Sequence, residues 1–157
     1  DHVKLWTVDV DWVDVANSTI SNPTEIPTTP FISVFDGGSF SNVPQPSGPD
    51  QDALQATIMN QAQYRRFDDH NSAVFNFVVD TDGSSDELAG IRWFELRQDN
   101  DGDPWYIYQE GTYISPYDDK HAFSGSMVMD EQGNIGMGYT SCSEEQNISI
   151  FYTGRWK

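Results

Sequence analysis

Ala73-Val74-Phe75-Asn76-Phe77-Val78-Val79 and Gly90-Ile91-Arg92-Trp93-Phe94-Glu95-Leu96-Arg97 are runs rich in β-branched and aromatic residues, and Asp82-Gly83 stands between them. Such runs, bounded by turn formers, read as strands joined by a tight connection. The same grammar continues toward the C-terminus. Trp105–Glu110, Gly125–Met129, Asn134–Ser141 and Ile148–Thr153 are further candidate strands, punctuated by Asp101-Gly102 and Gln132-Gly133-Asn134. These connections are too short for crossovers, so the sheets are expected to be antiparallel. Several strands at this spacing predict an all-β fold: sandwich, barrel or propeller.

Toward the N-terminus the pattern is less regular. In Val3–Trp12, Trp6, Val8, Val10 and Trp12 alternate with Leu5, Thr7, Asp9 and Asp11, the period of two of a half-buried strand. Residues 21–50 hold six of the eight prolines, which disrupt regular pairing and predict a long connection. Within it, Phe31–Phe35 is a candidate short strand ended by Asp36-Gly37-Gly38. In Asp52–Phe67, Leu54, Ile58 and Ala62 fall on a helical stripe, so periodicity alone predicts a helix there. Residues 1–157 are read as one unit, with 21–50 as a connection inside it.

Composition narrows the partners. The chain carries 25 acidic against eight basic side chains, a net charge of −17. Such a surface repels phosphate backbones and anionic lipid, which argues against nucleic acid and membrane partners. No apolar run approaches the roughly 20 residues that cross a bilayer as a helix. Nine Phe, seven Tyr and five Trp supply the buried area of a folded core. Cys142 stands alone, so neither an internal disulfide nor a thiolate zinc site is available. The N-terminus has no signal-peptide character. Asn17-Ser18-Thr19 and Asn147-Ile148-Ser149 match the glycosylation sequon.

Three stretches carry a resemblance. One is Gln63-Tyr64-Arg65-Arg66-Phe67 with Asp69-His70-Asn71-Ser72 and the strand Ala73–Asp80. The second is Ala89–Arg97 followed by Trp105–Tyr113. The third is Gly125–Tyr139, closing on Tyr152-Thr153-Gly154-Arg155. Together they resemble the C-terminal part of a family of large bacterial exported proteins, common in Bacteroidetes, with β-propeller-like repeats. The likeness spans nearly the whole chain and is weakest in 21–50. It implies a secreted or cell-surface setting and antiparallel propeller blades, with an incomplete ring in this chain. It also implies that Tyr64–Phe67 is strand, against the helical stripe, and that Met129–Ile135 is the hairpin between two blade strands. Propellers close with about four to eight blades, so the remaining blades are expected as another chain or as a cleaved part of the same precursor.

The most chemical feature is acidic. Asp80, Asp82 and Asp86 alternate around Gly83, and Asp99, Asp101 and Asp103 around Gly102. Calcium takes six to eight oxygen ligands, so these six carboxylates are the candidate calcium ligands, although neither loop completes an EF-hand pattern. The competing reading is solvated hairpin turns. Asp69-His70 is a candidate acid–base pair, with Ser72 or Ser124 as nucleophile, but no Gly-x-Ser-x-Gly elbow occurs. His2, His70 and His121 are scattered. Arg65, Arg66, Arg92, Arg97 and Arg155 either bind carboxylates of a ligand or neutralise acids on adjacent strands. Trp93, Phe94, Trp105, Tyr106, Tyr108 and Tyr113 are expected to be mostly core, with Trp93 and Phe94 on opposite faces. The function expected is a non-catalytic scaffold or binding module for a glycan or protein. The alternative is part of a secreted glycan-active hydrolase whose catalytic residues lie largely outside this chain.

Overall fold

A computed structural model of the chain describes residues 1–35, 43–55, 57–83, 87–117 and 119–157. The fold is all-β with antiparallel sheets. One turn of 3-10 helix, Val15–Asn17, is capped by the Asp14 carboxylate accepting from Ala16 N–H. Among the described residues no helix is long and apolar enough to cross a membrane. The chain divides into two compact units, Asp1–Pro30 and Phe31–Lys157.

The N-terminal unit holds two two-stranded ladders. β1 (His2–Leu5) pairs with β4 (Thr24–Pro27), and β2 (Val8–Asp9) with β3 (Thr19–Ile20). The single strand expected over Val3–Trp12 is therefore broken at Trp6-Thr7. The reason is local: the Ser21 hydroxyl accepts from Thr7 N–H and Ser21 N–H donates to Thr7 C=O, which turns the chain from one ladder to the next. Trp6, Val8, Val10 and Trp12 are all exposed. The Pro-rich 21–50 is likewise not all connection, because Thr24–Pro27 is strand. Pro27 sits at its end, opposite His2, where a missing N–H does least harm.

The second unit contains two meanders. In the first, β5 (Gln63–Arg66), β6 (Asn71–Asp80), β7 (Ala89–Gln98) and β8 (Tyr106–Tyr113) pair in chain order. In the second, β9 (His121–Met129), β10 (Ile135–Ser143) and β11 (Gln146–Arg155) do the same, with β11 at an edge. The six runs legible from Ala73 onward all appear, each extended by one to four residues at one or both ends, except that Trp105 and Asn134 fall just outside β8 and β10. The helical stripe at 52–67 is overturned. Gln63–Arg66 is a strand, and Ile58 bridges Phe77 farther along the same edge of β6. Tertiary pairing wins over a weak local period. Phe31–Phe35 contributes only a bridge, Ile32 to Asp80, while Asp36, Gly37 and Gly38 lie outside the described residues. The edge of β6 is thus covered in turn by β5, by Ile58-Met59 and by Ile32.

The sheets pack face to face. Register puts Val74, Asn76 and Val78 of β6 on one face with Glu95, Trp93 and Ile91 of β7. That face meets β9. Val74 joins Met129 and Ile135, Val78 joins Phe123 and Cys142, and Gly125 lies against Asn76. β9 therefore runs antiparallel to β6 along its length, the aligned arrangement of stacked sheets. A β-carbon on Gly125 would stand 2.7 Å from Asn76 Oδ1, so only glycine permits this approach. The Gln63 side-chain amide donates to Met129 C=O and accepts from Met129 N–H, which satisfies the open edge of β9 as a strand would. On the opposite face, Phe94 stacks between Phe75 and Phe77. Trp93 and Phe94 do point to opposite faces.

Candidate functional site

Five of the six candidate calcium ligands are described, and they lie at opposite ends of β7. Asp80 ends β6 and Asp82 lies in the β6–β7 connection, whereas Asp99, Asp101 and Asp103 lie in the β7–β8 connection. The ten-residue β7 separates the two by about 30 Å at roughly 3.3 Å per residue. Asp86 lies outside the described residues. Asp80 is buried, and its Oδ1 accepts from the amides of Asp82 and Leu88. Asp99 accepts from the Tyr106 hydroxyl. Asp101 accepts from Asn71 and pairs with Arg66 at 3.0 Å, and the Asn71 hydrogen bond followed by the Arg66 charge holds its carboxyl below the usual carboxylate range. Asp103 accepts from Asn100. Among the described residues, no three His, Cys, Asp or Glu side chains are grouped to hold a metal ion.

Asp69 Oδ1 and His70 Nδ1 are 2.6 Å apart, and the imidazole stacks on Phe67. The carboxyl of Asp69 is lowered chiefly by that hydrogen bond. Neither candidate serine is hydrogen-bonded to the pair among the described residues. Ser72 follows in β6 but donates to buried Glu95, and Ser124 lies in β9, at a left-handed backbone position within the β9–β10 irregularity. His121 is buried, its Nδ1 accepts from Ala89 N–H, and burial lowers its pKa.

Three of the arginines neutralise acids. Arg66 meets Asp101, Arg92 meets Glu110 across the β7–β8 pair, and Arg97 meets Glu95 at 2.6 Å. Glu95 is fully buried and also accepts from Ser72 and Gln109. That network escaped the sequence reading. Its only signal is a carboxylate between Phe94 and Leu96 in a β-rich run. Arg65 donates instead to Met129 C=O. Of the aromatic set, Phe94 is core, whereas Tyr106 and Tyr108 are exposed. Arg97 stacks on the Tyr108 ring, which keeps that ring at the surface beside the guanidinium.

Two surface features remain. The first is a cleft of about 210 Å³ between the meanders, lined by Trp93, Thr112 and Tyr113 on one side and by Met127, Ile135, Met137, Thr153, Gly154 and Arg155 on the other. Trp93 lies flat over Gly111, whose missing side chain makes room: a β-carbon there would stand 3.0–3.1 Å from the indole. The Arg155 guanidinium sits 5.7 Å from the Trp93 ring centre. Behind the cleft, Tyr113 and Tyr139 share a hydroxyl–hydroxyl bond of 2.8 Å, and burial pushes the Tyr139 phenol upward.

The second feature is the outer face of the β9–β11 sheet. Alternation along β11 sends Phe151 and Thr153 inward and Ile148, Ile150 and Tyr152 outward. All three outward residues are exposed, Ile150 by 87% and Tyr152 by 90%, as are Val128 on β9 and Trp156 just past β11. A shallow depression lined by Val128, Asp130, Asn134 and Trp156 continues this face. The adjoining hairpin is closed by side-chain hydrogen bonds. Asp130 accepts from the amides of Gln132 and Asn134 and from the Asn134 side chain, while Gly133 takes the left-handed conformation. Comparison of the chain with protein-family models, curated proteins and solved structures finds no match.

Proposed function

We propose that this chain is a non-catalytic segment of a secreted or cell-surface β-propeller, a scaffold or binding module for a glycan or protein, completed by blades outside this sequence. The observation that carries the reading is the outer face of the β9–β11 sheet. A sheet that ends against water alternates apolar-in and polar-out, but β11 is apolar on its outward positions. Contiguous exposed apolar surface of this kind marks an interaction face. A further sheet stacked on Ile150, Tyr152 and Trp156 would bury it, as the first meander already buries the inner face. Four-stranded antiparallel meanders stacked face to face are the unit of propeller architecture, and β5–β8 with β9–β11 supply one such unit and most of a second.

The candidate acid–base groups that are described have structural partners. Ser72, the serine nearest the Asp69–His70 pair in sequence, donates to Glu95, and Asp80 and Asp103 hold turns.

The test is the mass of the material purified from its native source, under native and then denaturing conditions. A native mass well above 17.7 kDa that resolves into different chains is expected. A stable folded monomer of 17.7 kDa would refute the reading and leave a self-contained β-sandwich.

A further inference from the structure

We infer that the cleft between the two meanders is a binding site for a carboxylate carried on an apolar, ring-sized body, with Arg155 taking the carboxylate and Trp93, Met127, Ile135 and Met137 taking the body. This rests on the binding-module part of the reading above and names the ligand class. Charge is the first argument. With 25 acidic side chains in 157 residues, an arginine on this surface has acids to spare: Arg66, Arg92 and Arg97 each have one, and Arg65 is engaged by Met129 C=O. Arg155 has none among the described residues, and the cleft lining contains no Asp or Glu. The cleft is lined by Arg155, whose guanidinium lies over the Trp93 ring and carries the donors. They have the fork geometry that suits a carboxylate.

Size and lining decide the rest of the ligand. The cleft holds about 210 Å³, on the scale of cavities that take a single ring. The floor is formed by Met127, Ile135 and Met137, with the hydroxyl-bearing Thr112, Tyr113 and Thr153 beside it. It suits an aromatic or aliphatic group, and methionine adapts its shape to either. Both a peptide ending in a hydrophobic residue and a free aryl carboxylate have this chemistry.

The experiment is methyl NMR of the four methionines in the intact chain. N-acetylphenylalanine, its neutral amide and phenylacetate are titrated at millimolar concentration. The acid is expected to shift the Met127 and Met137 methyls saturably and to leave Met59 in place. The amide is expected to bind about tenfold or more weakly, the scale of a lost charge-assisted hydrogen bond. Arg155→Gln, at an exposed position, is expected to keep the free spectrum and to bind the acid no better than the amide. Preference for N-acetylphenylalanine over phenylacetate assigns a peptide C-terminus, and equal binding assigns a free carboxylate. Acid and amide binding alike, or Arg155→Gln leaving the acid unaffected, overturns the inference. A neutral trisaccharide shifting these methyls where the acid does not would overturn it while sparing the binding-module reading. Silence from every probe also overturns it, and the native mass still reads the propeller segment independently.

Discussion

Gly125→Ala tests the face-to-face packing that defines the second unit. The added β-carbon would stand 2.7 Å from Asn76 Oδ1, 3.2 Å from Asn76 Cγ and 3.2 Å from Ile91 Cδ1. Ordinary contact starts near 3.4 Å, so Asn76 must retreat by about 0.7 Å, and it is 1% exposed in a closed layer. Forcing an extra methyl into a packed core costs about 1–3 kcal/mol. Glycine's loss of unfolded-state freedom returns about 0.4–1 kcal/mol. The net expectation is a destabilisation of about 1–2 kcal/mol, read as a lower urea midpoint with an unchanged slope. In an Asn76→Ala background the obstructing side chain is gone. Oδ1 of Asn76 is buried with no hydrogen-bond partner among the described residues, so its loss leaves no donor stranded. There Gly125→Ala is expected to be neutral or to stabilise by about 0.5 kcal/mol. An equal penalty in both backgrounds would refute the stacking of β9 on β6.

Two further outcomes follow from the buried and acidic groups. His121 is neutral in the fold because Nδ1 accepts from Ala89 and burial lowers its pKa. Its contribution is therefore complete above the unfolded value of about 6.5 and is lost as pH falls below that toward the lowered folded pKa. The stability difference between wild type and His121→Asn is expected to shrink between pH 7 and pH 5, and a constant difference would contradict the assignment. Chelation by EGTA addresses the two acidic loops. Calcium at a hundred times its dissociation constant adds about 2.7 kcal/mol, or about 5–10 °C in Tm for a chain of this size. Since Asp80, Asp99 and Asp101 are engaged by backbone amides, Tyr106 and Arg66, Tm is expected to hold, and a fall on that scale would assign a cation to one of the loops.

Much of the strand architecture was written locally. From Ala73 onward, β-branched and aromatic runs alternate with Asp-Gly and Gly-Asn turns, and short connections permit only antiparallel neighbours, so the meanders follow from residues adjacent in sequence. Where the sequence misled, pairing between distant segments overrode a local period. Leu54, Ile58 and Ala62 have helical spacing, but the edge of β6 offered unpaired amides and carbonyls that Ile58-Met59 and Gln63–Arg66 satisfy. Trp6-Thr7 reads as mid-strand until Ser21 bonds to Thr7 and breaks it.

The sites depended still more on the tertiary structure. The two acidic loops look alike in sequence, yet a strand of fixed rise sets them at opposite ends of β7. Five arginines are indistinguishable by composition, and only the folded structure gives Arg66, Arg92 and Arg97 carboxylates, sets Arg65 on Met129 C=O and lays Arg155 over Trp93. Alternation along Ile148–Tyr152 says that two faces exist but not which is covered. Sequence period determines which side chains share a face, because it is a property of one strand. What that face meets is decided by a second sheet folded from residues far along the chain.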